Sequence, residues 1–147
     1  MPGTFTSLHY HLVFSTKNRE PFISNVWISR LHEYLGGTVH GLGGIPAGIG
    51  GVSDHVHLLV GLKATHCLSF MRDLKKASSI WVHQEITMRD FSWQEGYAAF
   101  SISATSREAV LKYIAQQEDH HRTRSFREEL AQMLVKAGVR FEDRFLD

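Results

Sequence analysis

The chain has 147 residues, 43% hydrophobic and 21% charged, with a formal net charge of +1. That is enough for one domain with a real core, too apolar for a disordered chain, and too nearly neutral to bind nucleic acid through bulk charge. A single cysteine, Cys67, excludes an intrachain disulfide and fits a reducing compartment, so a cytoplasmic location is expected. No apolar run approaches the roughly 20 residues that cross a bilayer, and the N-terminus lacks the basic-then-apolar pattern of a secretion signal. The compositional oddity is the 10 histidines, whose positions call for an explanation.

The first element is expected over residues 8–15, where Leu8, Tyr10, Leu12 and Phe14 alternate with His9, His11 and Val13. That is the period of a strand with one apolar face. A short basic loop follows, Thr16-Lys17-Asn18-Arg19. Over about 24–40, Val26, Trp27, Leu31, Tyr34, Leu35 and Val39 recur near helical spacing, with Ser24 as N-cap and Gly41 as stop. Residues 41–51 are rich in glycine, yet Ile45, Ala47 and Ile49 alternate, so a glycine-weakened strand of uncertain pairing is expected over 45–52. Ser53-Asp54 then turns the chain into His55-Val56-His57-Leu58-Leu59-Val60, a run dense in β-branched and aliphatic side chains. His55, His57 and Leu59 share one face of that strand. Val56, Leu58, Val60 and Leu62 share the other, which belongs on a core.

A helical pattern returns over 66–89, through Leu68, Met71, Leu74, Ser78 and Trp81 or Val82, with Arg72, Lys75 and Lys76 mostly off the apolar face. Residues 97–104 read as a fourth strand. Thr105 or Ser106 is the expected cap of the next helix, whose stripe is Val110, Leu111 and Ile114. On it, Tyr113 and Gln117 stand one above the other, and His120 and His121 continue near that side. A last helix is expected over 126–136, ending at Gly138. The order is that of a ferredoxin-like split β-α-β sandwich. This is an α+β fold with a four-stranded antiparallel sheet, here extended by a tyrosine-bearing helix and a final helix. Its first and third strands are neighbours at the sheet centre, which would bring His9 and His11 beside His55 and His57. No repeat, linker or low-complexity segment divides the chain, so residues 1–147 are read as one domain.

The His-Val-His pair is a place where imidazoles can converge on one ion, but two ligands do not make a site, and half-exposed sheet histidines are the plainer reading. The amide oxygen of Gln117 is the candidate third ligand. A tyrosine hydroxyl, with a pKa near 10, is a poor nucleophile unless its target is activated, and a divalent metal on a phosphate oxygen does that. Tyr113, one turn from Gln117, would then stand next to a scissile phosphate; packing is the plainer role for it. Lys17, Arg19, Arg72, Lys75 and Lys76 are candidate phosphate contacts, each otherwise a solvated surface charge. His120 and His121 are read as local structure rather than ligands. Trp93 and Tyr97 could stack on bases, with core packing the default.

Taken together these stretches resemble the single-tyrosine HUH (His-hydrophobic-His) transposases of small bacterial insertion sequences that move as single-stranded DNA. The resemblance runs through Tyr10 to Arg19, Asp54 to Leu59, Leu74 to Trp81, Trp93 to Tyr97 and Tyr113 to His121, in order, over nearly the whole chain. It implies that His55, His57 and Gln117 bind a divalent metal, Mg²⁺ or Mn²⁺, with His11 and Asp54 as supporting neighbours. It implies that Tyr113 attacks single-stranded DNA, forms a 5′-phosphotyrosine link and releases a 3′-hydroxyl. It further implies DNA hairpins as ligands and a homodimer, with no membrane partner; Lys17, Arg19, Arg72, Lys75 and Lys76 become DNA contacts. His9 is an additional histidine near the expected site. Two other readings compete: a hairpin-binding derivative retained by a host, and a non-DNA metal-binding ferredoxin-like protein.

Overall fold

The structure, a computed structural model, describes residues 3, 5–66, 69–142 and 146. Cys67, and Leu68 expected on the second helical stripe, lie outside the described residues, as does most of the end of the tail. The elements run β1 (His9–Ser15), α1 (Ile28–Gly41), β2 (Ile45–Val52), β3 (His55–Gly61), α2 (Ser69–Trp81), β4 (Ala98–Ile102), α3 (Arg107–Ala115), α4 (Gln117–His120) and α5 (Phe126–Lys136). The sheet is four-stranded and antiparallel, in the order β2-β3-β1-β4. This is the ferredoxin-like topology, with β1 and β3 central.

The alternation read from the sequence sorts the two faces. Leu12 and Phe14 of β1 join Val56, Leu58 and Val60 of β3 in one core cluster with Leu31, Leu35 and Val39 of α1 and Phe70, Met71 and Leu74 of α2. Each fully buried aliphatic side chain contributes roughly 1.5–3 kcal/mol, which makes this face the stable platform of the domain. His11, His55 and His57 point to the other face, under α3, α4 and α5. Trp93 is a core residue: it is buried and its Nε1–H donates to Ser78 Oγ at 3.0 Å, so it is no base-stacking platform.

Several boundaries differ from the sequence pattern. Ser24 Oγ accepts from the Val26 amide in a turn ahead of α1, and the left-handed residue after that helix is Gly43 (φ 91) rather than Gly41. The second helix changes at Val82 to a wider π-type turn that closes at Thr87 in a left-handed conformation (φ 60). Ser106 holds the N-cap position of α3, but its hydroxyl makes no capping hydrogen bond: a tight turn over Ala104–Ser106 leads into the helix, and Ser103 Oγ bonds to the hydroxyls of both Thr105 and Ser106.

The glycines of β2 have a definite purpose. α3 lies directly across that strand. A Cβ on Gly48 would come 2.4 Å from Leu111 Cδ2, and one on Gly50 would come 2.3 Å from the carbonyl oxygen of Ile114. Removing the side chains lets the tyrosine helix sit against the sheet. Gly50→Ala is therefore expected to lower stability by about 1–3 kcal/mol through overpacking against backbone that has no rotamer to yield. A urea denaturation curve would measure it, and an unchanged midpoint would mean α3 is not held at this distance.

Candidate active site

β3 sets the floor of the site. His55 and His57 are two residues apart, fully buried, and on the face opposite the core. Antiparallel pairing places β1 beside them in the register Val13↔His57 and His11↔Leu59, so His11 stands diagonal to His57. His11 Nε2 is 2.7 Å from His57 Nδ1. His57 Nε2–H donates to Glu129 Oε1 at 3.0 Å, which leaves Nδ1 of a neutral ring as the acceptor and His11 as the donor. Asp54 accepts from His55 Nδ1–H at 2.7 Å. His9, by contrast, lies at the far end of β1 opposite Gly61, and its ring contacts Arg107 Nη1 at 3.1 Å. It stands outside the cluster.

The tyrosine helix does not run straight through. It breaks at Gln116 (φ −100, ψ 20), whose amide reaches back to both Lys112 and Tyr113, and α4 starts afresh at Gln117. The break drops Gln117 into full burial while Tyr113 stays half-exposed. Gln117 Oε1 accepts from His55 Nε2–H at 3.0 Å, and its amide nitrogen donates to Glu129 Oε2 at 2.9 Å. One further turn brings in His121. Its Nδ1–H donates to the Arg124 carbonyl at 2.9 Å, which aims Nε2 at Gln117 Oε1 (3.0 Å) and Glu129 Oε1 (3.1 Å).

The centre of the cluster is a residue that the sequence pattern does not single out. Glu129 of α5 is fully buried and faces every one of these groups. Oε1 takes the imidazoles of His57, His121 and, at 3.3 Å, His55; Oε2 accepts from the Gln117 amide and in a short bond from the Tyr113 hydroxyl. His121, which the sequence assigns to local structure, belongs to the cluster as well. The signal for Glu129 is faint. It follows Glu128 in the first turn of α5, where a carboxylate is expected to answer the helix dipole and close the capping box with Ser125. Yet it sits three residues after Phe126 and four before Met133, on the apolar side of that helix.

These contacts set the charges. Burial works against a charged His55, but the Asp54 and Glu129 hydrogen bonds, the Asp54 charge and Gln117 together outweigh it and raise it to about 9. Burial dominates at His11, lowered to about 3, and at His57, lowered to about 4. Burial would raise Glu129, but hydrogen bonds from His121, His55 and His57 hold it far below the carboxylate range. Burial and then Glu129 push the Tyr113 hydroxyl well above its ordinary value of 10.0, with Arg124 pulling the other way.

A pH dependence follows. His55 keeps its proton in the fold, so its contribution is full below the ordinary 6.5 and is lost as pH rises through about 9. His11 and His57 are held neutral, so their contribution is full above 6.5 and is lost as pH falls toward about 4 and 3. Chelator-treated protein is expected to melt highest near neutral pH and lower on both sides. A flat melting temperature between acid and alkali would refute the coupling.

The donor set suits a divalent ion. Ligand atoms of His55, His121 and Glu129 lie within 4.8 Å of one another, and His57 and Gln117 adjoin them. A buried carboxylate among imidazoles is a cation's environment, and imidazole with oxygen donors favours Mn²⁺ over the oxygen-preferring Mg²⁺.

The candidate DNA contacts separate. Arg19 lines a cavity of about 480 Å³ beside the cluster, with Asp54, Glu118, His121 and Arg124; Lys17 is exposed in the same turn. Arg72 and Lys76 are exposed on α2, across the sheet from Tyr113. Lys75 is occupied within the fold. Its Nζ donates to the carbonyls of Gln94, Glu95 (2.9 Å) and Gly96 (3.0 Å), tying down the loop before β4.

A His-hydrophobic-His pair on the central strand of a ferredoxin-like sheet, with a tyrosine held over it, places the domain among the HUH proteins of the single-tyrosine kind. The chain belongs to the IS200-like transposases: the family model described as "Transposase IS200 like" matches residues 4–117. Its function is that of a transposase, a DNA-processing enzyme. Two solved structures share the fold. A candidate transposase from Deinococcus radiodurans R1 is 24% identical, with a TM-score of 0.64 over 80% of this chain and 95% of that one. A REP-associated tyrosine transposase bound to a REP hairpin is 13% identical, with a TM-score of 0.60 over 82% of this chain and 73% of that one. No curated protein matches the chain. Among the described residues, no helix is long and apolar enough to cross a membrane.

Proposed function

We propose that the chain cuts and rejoins single-stranded DNA through a 5′-phosphotyrosine intermediate on Tyr113, at a site holding Mg²⁺ or Mn²⁺. The observation that carries this reading is the Tyr113 hydroxyl, bonded to the same buried carboxylate that gathers His55, His57 and His121. Tyr113 Oη, aligned by its hydrogen bond to Glu129 Oε2, attacks phosphorus and releases its proton to water. The new Tyr–O–P bond forms, the P–O3′ bond breaks, and the 3′ oxygen leaves and takes a proton from water. The phosphate stays on Tyr113, so bond energy is kept and a 3′-hydroxyl can reverse the attack without ATP. His55, His121 and Glu129, with His57 and Gln117 beside them, would hold the ion. When bound, it supplies Lewis-acid stabilisation of the charge on the phosphate. Asp54 and His11 orient the two strand imidazoles from behind.

The ligand is read as single-stranded DNA bearing hairpins, a reading supported by the family and by the hairpin-bound relative of like fold. Lys17 and Arg19 are the contacts proposed near the nucleophile, with Arg72 and Lys76 left for the backbone of a stem. A homodimer is the proposed assembly, each chain using its own Tyr113, because the tyrosine and the histidine pair already meet within one chain. The cytoplasm, where the chromosome lies, is the proposed location.

The test uses full-length protein and 3′-labelled single-stranded DNA from the sequences flanking its own gene, resolved on a denaturing gel. A slower band that requires Mn²⁺ or Mg²⁺ and vanishes with chelator is expected. Hairpin binding without the band would make the chain a DNA-binding derivative. Neither band nor binding would overturn the reading.

A further inference from the structure

We infer that Arg124 is a catalytic residue of this site, its guanidinium holding the scissile phosphodiester against Tyr113; this rests on the reading of Tyr113 as nucleophile. Arg124 lies in the turn between α4 and α5, beyond the region 4–117 that the family model covers. Its Nη2 donates to Tyr113 Oη at 2.9 Å, and its guanidinium lies 6.0 Å from the tyrosine ring centroid. Nη1 donates to Gln132 Oε1, and Nη2 is 3.8 Å from Glu129 Oε2. The backbone is fixed as well, because its carbonyl accepts from His121 Nδ1–H. The side chain is thus aimed from both ends at the oxygen that must attack phosphorus.

Arg124 also lines the cavity of about 480 Å³ that Arg19 lines. Asn18 and Arg19 both adopt left-handed backbone (φ 55 and 54), a conformation non-glycine residues take up when their surroundings impose it and one that clusters at functional sites. The same cavity carries two carboxylates. Asp54 is engaged by His55, and Glu118 is exposed to solvent. A guanidinium offers five N–H donors in a rigid plane. It can therefore keep Tyr113 and Gln132 while turning a remaining N–H to a non-bridging phosphate oxygen. The phosphorus is then brought within reach of Oη, and charge growing on the phosphate meets a donor already in place.

The experiment compares single-turnover adduct formation at saturating DNA for the wild type, Arg124→Ala and Arg124→Lys. The alanine variant is expected to react roughly 100-fold more slowly, as when one preset donor is removed from a transition state. Hairpin binding and melting temperature should stay near wild type. Added guanidinium ion should restore part of the rate, and lysine should fall between. Wild-type speed in the alanine variant, or a slow rate that guanidinium leaves unmoved, would overturn the assignment. A second measurement is independent of turnover: inorganic phosphate titrated into ¹⁵N-arginine-labelled full-length protein should shift the Arg124 guanidinium resonances. No shift there overturns the assignment whatever the gel shows. A shift with no adduct from the wild type supports it and places the failure on Tyr113.

Discussion

Tyr113→Phe is expected to form no covalent adduct while folding as the parent does. The substitution removes one oxygen and leaves the ring. That ring stacks on His120 with centroids 4.6 Å apart and lies edge-on to His57 at 5.8 Å and to His11 at 6.2 Å, all contacts phenylalanine keeps. Glu129 loses the tyrosine hydroxyl but retains His57, His121 and Gln117. The loss of that bond is expected to cost about 1–2 kcal/mol. The chemistry has no such reserve, because the oxygen removed is the one that would bond to phosphorus. A gel showing full adduct from the phenylalanine variant would mean that another side chain is the nucleophile. A variant that no longer folds would mean that the hydroxyl is chiefly a structural prop for Glu129.

Much of the sheet is legible in the sequence because a strand's two-residue period leaves little freedom: a one-residue slip of β3 would put His55 and His57 into the aliphatic core and Val56 and Leu58 outside it. The bounds of β2 and α5 match the sequence pattern for the same kind of reason, each being framed by turn or capping residues. In the sequence alone the glycines of β2 look like a weakness. Gly48 and Gly50 are two apart, hence on one face, and that face is where α3 lands. The spacing is visible, but its cause lies in a helix some sixty residues further along the chain.

The site is half legible for a related reason. His55, His57, Tyr113 and Gln117 can be named from local pattern, and the structure brings them together. Glu129, His121 and Arg124 draw their roles from the way α4 and α5 fold back over β3. That path depends on the break at Gln116, which no proline or glycine marks. Lys75 shows the converse: a basic residue on a helix next to other basic residues resembles a DNA contact until its amine is found capping three carbonyls.

Glu129→Gln should have the second large effect, on metal affinity and on stability together. The carboxylate is fully buried and carries the only negative charge that reaches His55, His57 and His121 at once among the described residues. Glutamine preserves shape but puts an amide in place of a charge. Its NH₂ would have to face either the imidazoles or the donors of Gln117 and Tyr113, so at least one buried donor meets another donor. Breaking a buried ion cluster of this kind typically costs about 3–5 kcal/mol, and the metal-free protein should be destabilised on that scale. If Glu129 is a ligand, Mn²⁺ should also bind at least about 100-fold more weakly, beyond what the loss of a mere supporting residue causes. The opposite sign is the informative alternative. A carboxylate that only occupies the space between the imidazoles would compete with the ion, and its neutral replacement would then bind Mn²⁺ more tightly. Titration calorimetry with the parent and the variant decides between the two, and tighter binding would remove Glu129 from the ligand set and leave His55, His57, His121 and Gln117 to hold the ion.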